Sequence, residues 1–194
     1  MSNLYPFLVY VVVTTFTPGP NNIVSMTNGI HNSYPKMLKF LAGLFSGFFI
    51  VMLVSGLLNV ALVSLLPSLE QWLKILGVIY MLYLAFHIAR SKPVAEGQPQ
   101  DGLNTFKFGF GMQFLNIKVI LYGISVFSLF IINSYRDLPM IALFSLALAG
   151  VGFLSTSTWA VGGNLFHKLL RKNQRPFNLL MAALLVYTAV ASLL

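Results

Sequence analysis

Two groups of residues have types and spacings that could do chemistry. The first is Thr17-Pro18-Gly19-Pro20-Asn21-Asn22, near the far end of an otherwise apolar stretch from Leu4 to about Thr27. That stretch is long enough to cross a bilayer as a helix, yet each proline removes a backbone donor and clashes with the preceding turn. In lipid the freed groups cannot turn to water, so such a break persists only where protein or a wet cavity satisfies it. Pro20 suits the first turn of a restarted helix, where its missing N–H would have no intrahelical partner. The restarted helix would present backbone N–H groups and a positive dipole end to a carboxylate. The side-chain amides of Asn21 and Asn22 add donors and acceptors. The alternative is a kinked helix whose polar groups serve only neighbouring helices.

The second group is Gln113, Asn116, Lys118 and Tyr122, a polar cluster inside another apolar helix. Lys118 lies about 16 Å of helix beyond Lys107, close to half the thickness of a bilayer core. A lysine at that depth costs roughly 2.5–3.5 kcal/mol and should face the interior of the bundle or a wet cavity. As an ammonium it could bind a carboxylate; as a desolvated amine it could carry a proton. As a purely structural group it would bond to carbonyls at the first break. No acid is placed to pair with it, because Glu70, Glu96, Asp101 and Asp137 all fall in loops or at span ends. His87 and His167 read as interfacial. Tyr80, Tyr83, Tyr122 and Trp159 could line a cavity, Tyr122 foremost because it lies one turn beyond Lys118, and Asn164 is a weaker candidate.

The elements that must hold these groups are transmembrane helices. The chain has 194 residues, is 57% hydrophobic and only 8% charged, and has a mean hydropathy of +0.82. Soluble domains carry about 25% charged residues. Apolar runs at about 4–29, 38–63, 70–90, 106–132, 138–163 and 176–193 predict six spans. The net charge of +8 is distributed as a topology signal, not as a nucleic-acid surface. Lys36 and Lys39, then Arg90, Lys92 and Lys107, then Lys168, Arg171, Lys172 and Arg175 occupy the odd loops, against Arg136 alone in the even ones. The positive-inside rule then puts the odd loops in the cytoplasm and both termini outside. The N-terminus lacks a basic flank and cleavage site, so Leu4 to Thr27 is expected to be a retained first span.

The expected fold class is an all-α integral membrane protein, with six transmembrane helices in two inverted three-helix repeats. One transmembrane domain fills 1–194, with a first repeat at 1–90, a cytoplasmic linker at 91–105 and a second repeat at 106–194. Three spans per half force opposite insertion, and inverted repeats with interrupted helices place a site at their interface. Gly43 and Gly47, Gly56, and the row Gly150, Gly152, Ser155, Thr156, Ser157, Gly162 and Gly163 read as ordinary close helix packing. The chain has no cysteine, which excludes disulfides, thiolate metal sites and thiol relays. No metal-ligand spacing, phosphate loop or nucleophile triad appears, so neither an enzyme nor a cofactor is expected.

At Thr17-Pro18-Gly19-Pro20-Asn21, followed by a basic first loop and Gly43-x-x-x-Gly47, the chain resembles the LysE/RhtB family of amino-acid exporters over essentially its whole length. The sequences TPGPNNI and FLNIKVILYG are most similar to the cysteine/O-acetylserine branch of that family. In the second half the family usually has Asn-Pro-Lys, whereas this chain reads Asn116-Ile117-Lys118. Without the proline a second helix break stays open, while the Asn and Lys of the pattern remain. The resemblance implies efflux of a small neutral amino acid across the bacterial inner membrane, with proton antiport as the coupling. Thr17, Pro18, Gly19, Pro20, Asn21, Asn22, Gln113, Asn116, Lys118 and Tyr122 are the expected substrate-binding residues. The expected partners are substrate and membrane lipid, not nucleic acid, and a homodimer stays open as the assembly. Export of another amino acid, a passive facilitator, and a non-transporting scaffold or sensor are the competing readings.

Overall fold

The computed structural model describes residues 4–61, 79, 82, 83, 85, 86, 89, 90, 104–132, 134–165 and 174–191. Most of the expected third span and of the 91–105 linker, together with Tyr80, His87 and His167, lies outside these residues. Residues 79, 82, 83, 85, 86, 89 and 90 are each helical. Every regular element among the described residues is helical.

Helix α1 runs over Leu4–Phe16 and α2 over Pro20–His31. The chain leaves α1 because Pro18 disfavours helical geometry at Thr17. It restarts at Pro20, which takes the first helical position behind an extended Gly19 (φ −172°, ψ 175°). Helix α3 covers Tyr34–Ala61 and starts earlier than hydropathy alone suggests. Lys36 and Lys39 are exposed in its first turns, where long stems let the ammonium groups reach water.

Helix α4, Phe106–Leu115, starts from a Thr105 cap that accepts a bond from the Phe108 N–H at 3.2 Å. Helix α5, Ile117–Val126, follows after a single non-helical residue, Asn116, and the pair is bent by 63°. The second break is therefore present without proline. A π-helical turn at Phe127–Ile131 follows. Helix α6 spans Leu138–Leu165 and α7 spans Gln174–Ala191.

Among the described residues, α3 and α6 are each long and apolar enough to cross a membrane, and the bent α4–α5 pair qualifies if counted as one span. At 1.5 Å per residue, neither α1 nor α2 alone covers the roughly 30 Å of a hydrocarbon core.

The long helices pack on each other, α3 also packs along α4 and α5, and α6 packs along α2 and α1. Glycine permits the closest approaches. A Cβ on Gly29 would strike the Ala160 carbonyl and one on Gly163 the Met26 carbonyl; Gly43 and Gly109 face the Phe106 and Phe40 carbonyls in the same way. The expectation of close helix packing holds at Gly43 and Gly163, whereas Gly150 and Gly162 have nothing within 4 Å of where a Cβ would stand.

Two apolar clusters lie in the interior among the described residues. One includes Phe7, Val11, Met52, Val126, Phe127, Ile141 and Leu148. The other includes Val24, Met37, Phe40, Leu41, Leu44, Met112 and Ala160. The second cluster lies toward the end that carries the first basic loop.

Candidate functional site

The site forms where the two breaks meet. Asn21, second residue of α2, donates from Nδ2 to Gln113 Oε1 at 2.8 Å, and its Oδ1 accepts from Gln113 Nε2 at 3.1 Å and from Asn116 Nδ2 at 2.8 Å. One amide thus ties the restarted first helix to both sides of the second break. Asn116 is only 1% exposed, and its carbonyl begins α5 by accepting the Val119 N–H at 2.9 Å.

A helix end leaves its last carbonyls without intrahelical partners, and at α1 side chains supply them. The Thr17 hydroxyl donates to the Thr14 carbonyl at 3.0 Å. Asn22 Nδ2 bridges the Thr15 and Thr17 carbonyls at 2.9 and 3.0 Å. Ser155 Oγ lies 3.0 Å from the Thr15 carbonyl and 3.1 Å from Asn22 Oδ1, and Trp159 Nε1 donates to the Phe16 carbonyl at 3.3 Å. Lys118 Nζ donates to the Thr17 carbonyl and hydroxyl at 3.0 and 2.9 Å, and reaches the Pro18 carbonyl at 3.4 Å. Of the roles open to Lys118 from sequence, the structure displays the ammonium bonded to carbonyls at the first break.

Beside this network lies a half-open pocket of about 380 Å³, its open mouth included. The α1–α2 break contributes Thr14, Thr15, Gly19, Pro20, Asn21 and Asn22; α5 and its cap contribute Asn116, Lys118, Val119 and Tyr122; α3 contributes Phe48; and α6 contributes Gly152 and Thr156. Along each of α3, α5 and α6 the pocket residues fall next to the first apolar cluster, and on α2, α3 and α6 they also adjoin the second. The pocket, whose polar groups are set among apolar lining, therefore lies between the two clusters.

Three buried polar atoms at the pocket lack a hydrogen-bond partner: Thr15 Oγ1, Asn116 Oδ1 and Tyr122 Oη. The Thr15 and Tyr122 hydroxyls approach each other without reaching hydrogen-bond geometry. Leaving such a group unmatched costs about 1–3 kcal/mol. The charge is equally unmatched. Lys118 sits beside the N-termini of both α2 and α5, where helix dipoles are positive, and among the described residues no Asp or Glu lines the pocket. This arrangement favours an anion at the lysine end and a polar donor at Asn116 Oδ1.

Of the residues expected from sequence, Gly19, Pro20, Asn21, Asn22, Asn116, Lys118 and Tyr122 line the pocket. Thr17 and Pro18 hold the ammonium from behind it, and Gln113 supports Asn21. Tyr83 is exposed, Asn164 bonds the Asn32 carbonyl at 3.1 Å, and Trp159 serves the break. Sequence reasoning missed Thr14, Thr15, Phe48, Val119, Gly152 and Thr156, as well as the bracing role of Ser155. Gly152, Ser155 and Thr156 stand in the row read as plain packing; their polarity next to a mid-helix glycine was the available signal.

Comparison with known proteins gives a consistent pattern. The family described as LysE type translocator matches residues 12–194. The cysteine/O-acetylserine efflux protein of Klebsiella pneumoniae is 40% identical over 184 residues, covering 95% of this chain and 93% of that protein. Proteins of the same description from Escherichia coli O1:K1 and Salmonella choleraesuis are 36% and 35% identical, each over 96% of this chain and 95% of their own length. No solved structure matches the chain.

Proposed function

Because the chain belongs to the LysE family of translocators, we propose that it exports small neutral amino acids, with cysteine and O-acetylserine as the first candidates and the pocket between the two helix breaks as the substrate site. The observation that carries this reading is the pairing of an uncompensated positive end with unmatched buried acceptors. A zwitterion supplies both complements. Its carboxylate meets Lys118 and the start of α2, and its ammonium meets Asn116 Oδ1 and the hydroxyls of Thr15 and Tyr122. A basic side chain would enter beside Lys118 with no carboxylate to offset it, which favours neutral substrates over lysine.

The transport cycle in this reading is alternating access between two inverted three-helix repeats in a six-span protein of the bacterial inner membrane, with both termini outside. The packing supports the repeat: each broken pair, α1–α2 and α4–α5, lies along the long helix of the other half, α6 and α3 respectively. Proton antiport is the proposed coupling. A passive facilitator is the second reading, favoured by the lack of an acid among the described residues that line the pocket.

Purified protein in liposomes loaded with labelled cysteine, O-acetylserine, threonine, leucine and lysine tests the proposal. Efflux of the first two, accelerated by a pH gradient, is the expected result. Efflux indifferent to the gradient selects the facilitator, and no efflux of any amino acid refutes the transport site.

A further inference from the structure

A second, smaller and partly open pocket of about 170 Å³, its mouth included, adjoins the first on the side of the basic-loop end, and the two share Asn21, Phe48, Gly152 and Thr156. Its other walls are Leu44 and Phe45 of α3 and Phe153 of α6. Leu44 precedes Phe48 on α3, so it lies nearer the start of that helix at the first basic loop. Below Asn21, Ser25 and Asn28 follow on the same face of α2 at i+4 and i+7; both are buried and neither lines the smaller pocket.

Phe48 is the bulky group common to both spaces. Its ring lies 6.0 Å from that of Tyr122, tilted by 47°. Across from it stands Gly152, where a Cβ would come to 3.5–3.6 Å from three carbons of the ring. That is ordinary contact, so glycine is not needed for the ring to rest where it does. What glycine leaves is room beside a ring that would have to turn for the two pockets to join. Any larger side chain at 152 would fill that room.

We infer that Phe48 is the gate between the substrate site and an inner vestibule, and that the space between its ring and Gly152 sets the largest amino-acid side chain that passes. The inference rests on the transport reading of the larger pocket and adds a specificity-determining residue that touches neither the carboxylate nor the ammonium of the substrate.

The chain has no cysteine, so single introduced thiols report accessibility without background. Val119→Cys places a thiol in the larger pocket alone, and Phe153→Cys places one in the vestibule alone. A membrane-impermeant methanethiosulfonate reagent is applied from the basic-loop side of oriented vesicles. Minor open states are commonly populated at about 10% or less, so replacing the ring should speed labelling at position 119 by roughly tenfold or more. Phe48→Ala gives the full effect and Phe48→Leu, which keeps more of the core packing, gives a smaller one. Labelling at position 153 stays unchanged in both, which shows that the fold is intact.

In efflux from liposomes, the leucine-to-cysteine ratio should rise by about tenfold, the scale on which an apolar pocket discriminates one or two methylenes, and Gly152→Leu should lower it. Equal labelling at position 119 with and without the ring, or a ratio that ignores both positions, overturns the gate. Absence of all efflux alongside the expected labelling change would overturn the transport reading and leave the barrier standing.

Discussion

Replacing Lys118 by methionine separates the structural role of its ammonium from its binding role. In the resting structure Nζ makes two short bonds, to the carbonyl and hydroxyl of Thr17 at 3.0 and 2.9 Å, and one long one to the Pro18 carbonyl at 3.4 Å. Hydrogen bonds to charged groups contribute about 1.5–3 kcal/mol each, so the two short ones hold roughly 3–6 kcal/mol. Against this stands the cost of keeping an ammonium at membrane depth, about 2.5–3.5 kcal/mol. The Thr17 carbonyl also keeps the Asn22 bond at 3.0 Å. Lys118→Met is therefore expected to lose only roughly 0–3 kcal/mol of stability, read as a modest fall in Tm in detergent. Transport is expected to fall much further, because a carboxylate loses a charge-assisted contact of about 1.5–3 kcal/mol, or roughly 10- to 150-fold in kcat/KM. Labelled efflux from liposomes and binding of the same substrate to purified protein measure it. Unchanged binding and efflux in a folded variant would refute the carboxylate site at Lys118. A collapse of stability well beyond that range, with binding per folded molecule intact, would reduce the lysine to a pin for the broken helix.

Other substitutions test neighbouring parts of the argument. A Cβ on Gly19 would come to 2.9 Å from Lys118 Cδ and 3.1 Å from Nζ. Gly19→Ala should therefore push the lysine off Thr17 and lower efflux in the parent, yet add little in the Lys118→Met background; a double-mutant cycle with additive losses would contradict this coupling. Tyr122→Phe removes a buried hydroxyl with no partner, so Tm should hold or rise while substrate affinity falls by the value of one neutral hydrogen bond, about 0.5–1.5 kcal/mol. Gly163→Ala drives a methyl into the Met26 carbonyl and should cost about 1–3 kcal/mol or more through separation of α2 from α6. Gly162→Ala, with nothing within 4 Å, should leave thermal stability within about 0.5 kcal/mol of the parent.

Much of this site was legible in the sequence because prolines and glycines act locally. Pro18 and Pro20 dictate where α1 stops and α2 starts without reference to any distant residue. The second break was not legible for the opposite reason. Ile117 is a good helix residue in lipid, and the bend depends on Asn116, whose amide is committed to Asn21 across 95 residues of chain. No local rule reports such a bond. Lys118 was legible as a residue that must find partners, and carbonyls at the first break were among those open to it from sequence; the choice of Thr17 was not, because it depends on how two helix ends 101 residues apart meet. Phe48 and Gly152 escaped because their meaning lies in what stands opposite them: an aromatic and a glycine on two apolar helices are read as packing until a polar space appears between them. The charge pattern over the odd loops bears on orientation, and much of the chain that carries it lies outside the described residues.

The distribution of forces around the site bears on how it could move. Above and below it the contacts are apolar side chains, which can slide and repack at modest cost when volume is conserved. Between the two breaks the ties are few and polar: Asn21 to Gln113 and Asn116, and Lys118 to Thr17. These are the bonds that a rearrangement of α1–α2 against α4–α5 must break and remake. They are also the groups that the proposed substrate addresses, since its carboxylate competes with Thr17 for the Lys118 donors and its ammonium competes with Asn116 Nδ2 for acceptors. A ligand shifts a conformational equilibrium only through differential interaction with the two states. A substrate that takes the place of the ties between the breaks would interact differently with the joined and separated arrangements. Binding and release of the two halves would then be one event at Lys118 and Asn116, with no separate transmitting element required.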